Sequence, residues 1–157
     1  MNKIKSITSI EDLRLRLQTL PVPNELASAK AKIREPNLTK PPGSLGRLEE
    51  IVCWLSAWQG KHPPSLNHPK AKIFAGNHGV ANEGVSAYPS NVTEQMVKNF
   101  KSGGAAINQI CKTFDVDLTV FPINLNKPTE NITKAPALTE NQFLESIIDT
   151  GKKSETP

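Results

Sequence analysis

Two short apolar runs constrain the fold more than any other feature of this chain. Residues 71–76 (AKIFAG) and 117–123 (DLTVFPI) have strand length and strand composition. Between them lies a loop rich in glycine and polar side chains, NHGVANEGVSAYP (77–89), and then two helical patterns. In the first, Val92, Met96, Val97 and Phe100 share an apolar face. Asn91 with Glu94 three residues on predicts a capping box, and Gly103-Gly104 predicts the stop. In the second, Ile107, Ile110, Cys111 and Phe114 are expected to point inward. Strand, loop, helices, strand is the βαβ unit, which predicts two parallel strands joined by a right-handed crossover. Ligands of such sheets sit beyond the carboxyl ends of the strands, so residues 77–89 mark the expected functional edge.

The flanks read as helices. Ser9 caps a helix over residues 9–20, with Ile10, Leu13, Leu17 and Leu20 as its stripe and Pro21 and Pro23 beyond it. Glu25 to Arg34 offers only Leu26, Ala29 and Ile33 as an apolar face. After the rigid loop PNLTKPPGSLGR (36–47), a further helix carries Leu48, Ile51, Val52 and Leu55 on one face, with Trp54 and Trp58 beside it. Beyond a long polar loop (124–137), Thr139 and Gln142 predict another capping box. Phe143, Leu144, Ile147 and Ile148 then form the face of a helix ending at Gly151, and KKSETP reads as a frayed tail. The expected organisation is a helical segment over 1–60, part of an α/β domain over 61–151, and a tail over 152–157. Two strands do not complete a doubly wound sheet.

Composition narrows the partners. The net charge of +4 comes from 19 basic and 15 acidic residues that are scattered along the chain. A nucleic-acid binder would concentrate them in a stripe with aromatic stacking partners, so no nucleic-acid partner is expected. The two cysteines, Cys53 and Cys111, have no metal-ligand spacing and read as buried free thiols in a reducing compartment. The N-terminus lacks the continuous apolar core of a signal peptide, and no run approaches a membrane span. A cytoplasmic location without membrane association is the expectation.

Few residues suggest chemistry. KPPGSLGR lacks the spacing of a P-loop and follows no strand, so it reads as a prolyl turn leading into a helix. Asn77-His78-Gly79 is more informative, because glycines on either side of a histidine at a strand end let backbone approach a ligand beside an imidazole. A structural histidine bonded to nearby backbone fits the same pattern. His62 and His68 receive no role, and no two histidines have the i,i+4 spacing of a zinc site. Tyr88 and Met96 could flank a flat ring, though Met96 also fits plain core. Glu83 and Glu94 are the candidate carboxylates, the latter already accounted for by capping.

Three segments together resemble one family. TKPPGSLGRLEEI (39–51), FAGNHGVANEGVSAYPSNVTEQMVKNFKSGGAAINQIC (74–111) and PTENITKAPALTENQF (128–143) occur in this order in the nicotinate-nucleotide–dimethylbenzimidazole phosphoribosyltransferases. The resemblance spans roughly residues 10–151 and implies transfer of phosphoribose from nicotinate mononucleotide to 5,6-dimethylbenzimidazole. The products are α-ribazole 5′-phosphate and nicotinate, used for the lower ligand of cobalamin. It implies a Rossmann-like parallel α/β domain with a small helical domain, a homodimer, and no metal or redox cofactor. Matching motifs places Tyr88 and Met96 in the slot for the acceptor base, with Asn77 and His78 as neighbouring substrate-binding candidates. Many members carry Asp where this chain has Asn77.

The family's phosphate segment, GEMGIGNTT, and its catalytic glutamate find no match here. The resemblance is therefore to the N-terminal part of a longer enzyme, no residue of this chain receives the catalytic role, and the chain alone is expected to be inactive. A non-catalytic ligand-binding or regulatory module that keeps the base-binding edge is the alternative.

Overall fold

The computed structural model describes residues 7–155. Residues 1–6, within the expected helical segment, and residues 156–157 of the expected tail lie outside the described residues. Two compact units are present: Arg16–Asn67, and residues up to Leu15 together with those from His68 onward. The division thus falls at residue 67 where the sequence pattern placed it at 60, and residues 7–15 group with the sheet.

Helix α1 (Ile10–Gln18) starts at the expected cap. Ser9 Oγ accepts from the Asp12 backbone N–H at 3.0 Å, and Asp12 Oδ2 accepts from the Thr8 N–H at 3.1 Å. Its predicted stripe is not buried throughout, since Leu17 and Leu20 are more than half exposed.

In the Arg16–Asn67 unit, α2 (Glu25–Arg34) packs against α3 (Arg47–Gln59). Asn24 Oδ1 caps α2 by accepting from Ala27 N–H, while the Asn24 N–H donates to Ala57 O at the end of α3. The buried residues here are small: Ala27, Ser28 and Ala31 on α2, and Ser56 and Ala57 on α3. This corrects the expected faces. Leu26 and Ile33 are 77% and 69% exposed, and of the expected α3 face Leu48 and Ile51 are exposed while Val52 and Leu55 are half-buried; Trp54 and Trp58 beside it are exposed. Helices approach more closely through small side chains, so the close contact selects Ala and Ser and leaves the large residues outside. Gly60, at φ +65°, ends α3 in a left-handed turn whose N–H returns to Ala57 O and Ser56 O.

In the sheet unit, β1 (Lys70–Ala75) and β2 (Asp117–Pro122) pair in parallel, with Lys70 opposite Asp117 and Ala75 opposite Pro122. The fold class read from the sequence, a parallel α/β arrangement, is what the structure shows. Between the strands, α4 (Asn91–Ser102) buries Val97, and α5 (Ala106–Thr113) buries Cys111. The predicted capping box of α4 does not form, because the helix already includes Asn91 and Glu94 instead pairs with Lys98 at 2.9 Å. Ile110 and Phe114 are exposed rather than inward. The second capping box does form: Thr139 N–H donates to Gln142 Oε1 and Gln142 N–H to Thr139 Oγ1.

That box opens α6 (Glu140–Glu155), which corrects the expected stop at Gly151 and shortens the tail. An interior glycine costs about 1 kcal/mol relative to alanine. Here the i,i+4 pair Asp149–Lys153 and a bond from Lys72 Nζ to Lys153 O support the last turns. Both cysteines are free thiols; Cys111 is buried, but Cys53 is only half-buried. No helix among the described residues is long and apolar enough to cross a membrane.

Candidate functional site

The carboxyl end of β1 opens directly into the loop that the sequence singled out. Asn77, His78, Tyr88 and Met96 all line one cavity of about 360 Å³, whose other walls include Val80, Val85, Val92 and Thr93. Val92 and Thr93 stand four and three residues before Met96 on α4, so one helical face supplies this side of the slot. Tyr88 is 70% exposed and Met96 40% exposed, so Met96 is not plain core. A short turn presents the tyrosine: Ser86 Oγ donates to Tyr88 O at 2.8 Å and accepts from Tyr88 N–H at 3.3 Å.

The opposite wall is zipped to a loop far away in sequence. Thr129 N–H donates to Asn77 O, and Gly79 N–H donates to Thr129 O at 3.0 Å, which makes a one-residue parallel bridge between His78 and Thr129. The Asn77 side-chain amide donates to Leu125 O at 2.8 Å. A carboxylate at that position has no proton to give, so the Asn serves a role that an ionised Asp cannot. Gly79 is required by space: a Cβ there would stand 2.5 Å from Thr129 O and 2.8 Å from Asn131 N. Glu83 completes the zip, accepting from Asn131 Nδ2 at 2.5 Å and pairing with Lys134 at 2.9 Å.

These contacts sort the candidates. Glu83 is engaged by an amide and an ammonium, and Glu94 lies on the surface with Lys98, so neither is an uncommitted base. The His78 imidazole is exposed and makes no hydrogen bond among the described residues, which answers the question the sequence left open about a backbone-bonded histidine. His62 lies in the helical unit with Nδ1 3.4 Å from the fully buried Ser56 Oγ. Among the described residues no group of three or more His, Cys, Asp or Glu could hold a metal ion. The zipped wall was missed from sequence because Leu125, Thr129 and Asn131 lie some fifty residues from their partners and follow no period (the Glu83–Asn131 separation is 48).

In Arg16–Asn67, the loop of KPPGSLGR is fixed by an ion cluster. Lys40 Nζ lies 2.7 Å from Glu35 Oε1 and 2.5 Å from Glu49 Oε1, and Glu49 also accepts from Leu45 N–H. The hydrogen bonds from Glu35 and then Glu49 raise the Lys40 pKa above its ordinary value. The Lys40 bond in turn lowers that of Glu49, against the effect of desolvation.

Comparison with known proteins now decides the family. A family model described as Phosphoribosyltransferase matches residues 20–154. The chain belongs to the nicotinate-nucleotide–dimethylbenzimidazole phosphoribosyltransferase family. A relative of that name from Allorhizobium ampelinum is 53% identical over 137 residues, which is 86% of this chain and 40% of the relative. One from Methylorubrum extorquens is 53% identical over 139 residues, 88% of this chain and 41% of the relative. The crystal structure of a Thermus thermophilus phosphoribosyltransferase of the same name aligns with a TM-score of 0.67 at 33% identity, covering 85% of this chain and 47% of that one. The chain therefore spans about 40% of the length of the curated relatives it matches.

Proposed function

We propose that this chain supplies the acceptor-base slot of an enzyme that moves phosphoribose from nicotinate mononucleotide to 5,6-dimethylbenzimidazole. The observation that carries the reading is the convergence of Tyr88, Met96, Asn77 and His78 on one largely apolar cavity at the carboxyl edge of a parallel sheet. The relatives' names identify a nucleotide donor and a flat aromatic acceptor, and the slot suits the acceptor. In the reaction a ring nitrogen of the base bonds to C1′ of the ribose as the bond from C1′ to the pyridinium nitrogen breaks. The bonding pair leaves with nicotinate, and the proton on the other ring nitrogen passes to a general base. No residue of this chain is assigned that base. The working assembly is read as a cytoplasmic homodimer without nucleic acid, in keeping with the scattered basic residues.

A second reading, a ligand-binding module without chemistry, is favoured by one observation. Glu83, the carboxylate nearest the slot in sequence, is already held by Asn131 and Lys134. Titration calorimetry with dimethylbenzimidazole tests the shared claim of both readings. Saturable binding that weakens in Tyr88→Ala and Met96→Ala supports the slot. Absence of binding, or binding indifferent to both substitutions, removes it. An oligonucleotide serves as the control ligand and is expected not to bind.

A further inference from the structure

The slot meets an adjoining cavity of about 270 Å³ at Gly76, Asn77 and His78, which line both. Gly76 has no side chain, and the Asn77 amide is tied to Leu125 O. His78 is different: its side chain is exposed and bonds to no described residue, while its backbone is held on both sides. The bridge to Thr129 fixes the peptides before and after it, and its carbonyl accepts from Ala81 N–H at 3.0 Å. A fixed backbone with a free imidazole offers a ligand one donor and one acceptor nitrogen at little ordering cost. The slot is otherwise poor in such groups, with no Asp, Glu, Lys, Arg or Cys in its lining. The Ser86 hydroxyl is engaged with the Tyr88 backbone, and the hydroxyls of Tyr88, Ser90 and Thr93 border the slot but not the adjoining cavity.

We propose that His78 orients the acceptor base by accepting a hydrogen bond from its ring N–H. The proposal rests on the acceptor-slot reading given above, and it adds which ring nitrogen is held and by what. A base that buries its alkylated ring among Val85, Val92 and Met96, which line the slot alone, leaves its nitrogen-bearing ring for the border where His78 stands. The two ring nitrogens have different needs. One must keep its lone pair free to form the new bond, and the other carries a proton. A bond from that N–H to a neutral imidazole satisfies the second nitrogen without blocking the first, and it shifts electron density toward the attacking atom. His78 is thereby a specificity residue: it favours flat bases with a ring N–H over those without one.

The test compares three ligands on the whole chain, by calorimetry or ligand-observed NMR. They are dimethylbenzimidazole, its N-methyl derivative, which lacks the N–H, and 5,6-dimethylindole, which keeps the N–H and lacks the second nitrogen. Dimethylbenzimidazole and the indole are expected to bind alike, and the N-methyl compound about tenfold more weakly, the size of one hydrogen bond. That preference should fall to near one in His78→Phe and persist in His78→Gln, whose carbonyl oxygen remains an acceptor. His78→Phe keeps the bulk of the ring, which separates loss of the bond from a clash with the added methyl. A ratio between ligands on one protein does not depend on the fraction folded, so a weakened variant still reports. Equal affinities for dimethylbenzimidazole and its N-methyl derivative in the unaltered chain would overturn the assignment, as would a preference that survives His78→Phe. Weak binding of the indole beside undiminished binding of the N-methyl compound would also overturn it, because the imidazole would then donate to the lone pair. If all three ligands bind equally, the role of His78 fails and the slot stands; if none binds, both fail.

Discussion

The Arg16–Asn67 unit and the sheet unit respond differently to the same kind of sequence pattern. In the sheet unit the two apolar runs become the two strands within one residue of their expected bounds, and the loop after β1 forms a cavity wall. In the helical unit the helices fall where their periodicity puts them, but the expected face of α2 is exposed and that of α3 is exposed at Leu48 and Ile51 and half-buried at Val52 and Leu55. Large residues such as Leu26, Trp54 and Ile33 face solvent, while Ala31 and Ser56 are buried. The difference is physical. Strand pairing is fixed by backbone hydrogen bonds that any side chain tolerates, so locating the run locates the structure. Helix pairing depends on how closely two cylinders approach, and a close contact prefers residues that a hydrophobicity pattern ranks low.

The largest effect expected concerns chemistry rather than stability. A slot without an uncommitted carboxylate should bind base without turning it over. Production of α-ribazole phosphate by this chain alone is expected to lie at least ~10²–10⁴-fold below that of a full-length relative, the usual span for losing a general base. A rate within that margin would show that the sheet unit holds a catalytic group the geometry did not reveal.

Next come substitutions that strain one close approach in each unit. Gly79→Ala drives a methyl group against the 129–131 backbone. Ala31→Leu forces a large side chain into a site that is 2% exposed. Each is expected to cost roughly 1–3 kcal/mol in denaturant unfolding, in line with overpacking elsewhere. Gly79→Ala should also weaken dimethylbenzimidazole binding, whereas Ala31→Leu should leave it unchanged where the protein is folded. If Ala31→Leu stabilises the chain, the small-residue contact is not the constraint argued for it.

That Asn77, His78, Tyr88 and Met96 would border one cavity was legible in advance because they are local. Asn77, His78 and Tyr88 fall within one loop, and Met96 follows on the next helix, so a strand end and a helical period suffice to gather them. The remainder depends on tertiary pairing. Asn77 bonding Leu125, Gly79 meeting Thr129, and Glu83 held by Asn131 and Lys134 join loops that carry no periodic signal. The capping boxes show the same limit at smaller scale. The pattern at Thr139–Gln142 formed, while the one at Asn91–Glu94 lost to a helix that begins one residue early and to a surface pair with Lys98.

A smaller effect tests the exposed face directly. Ile51→Lys with Trp54→Lys removes large apolar groups that are 44% and 60% exposed. Stability should change by no more than about 0.5 kcal/mol, as for most surface substitutions. Binding of a hydrophobic dye and self-association should both fall, since exposed apolar patches drive them. A loss of several kcal/mol would mean that these residues are packed in solution and that this side of α3 is not exposed.

The smallest effect is the pH response of the Lys40 cluster, whose side chains retain some contact with water. Glu49 has its carboxyl pKa lowered in the folded chain, chiefly by the hydrogen bond from Lys40. Its contribution is therefore present above the pKa of the unfolded carboxyl and is lost as the pH falls through the lowered folded value. Lys40 has its pKa raised, chiefly by its bonds to Glu35 and Glu49. Its contribution is present below the ordinary lysine value and is lost as the pH rises through the raised one. The cluster's contribution to stability should be flat between the two ranges and decline outside both. Glu49→Gln removes the carboxylate that Lys40 and the Leu45 N–H share, so it should shrink the acid decline and, by taking away one partner of Lys40, part of the alkaline one. Lys40→Met should abolish the alkaline decline and weaken the acid one, because Glu49 would keep only its bond from Leu45 N–H. Melting followed by tryptophan fluorescence reports this unit selectively, since Trp54 and Trp58 are the only tryptophans and both lie on α3. Acid and alkaline limbs that are identical in all three proteins would show that the cluster holds the prolyl loop in place without contributing to the stability of the helices beneath it.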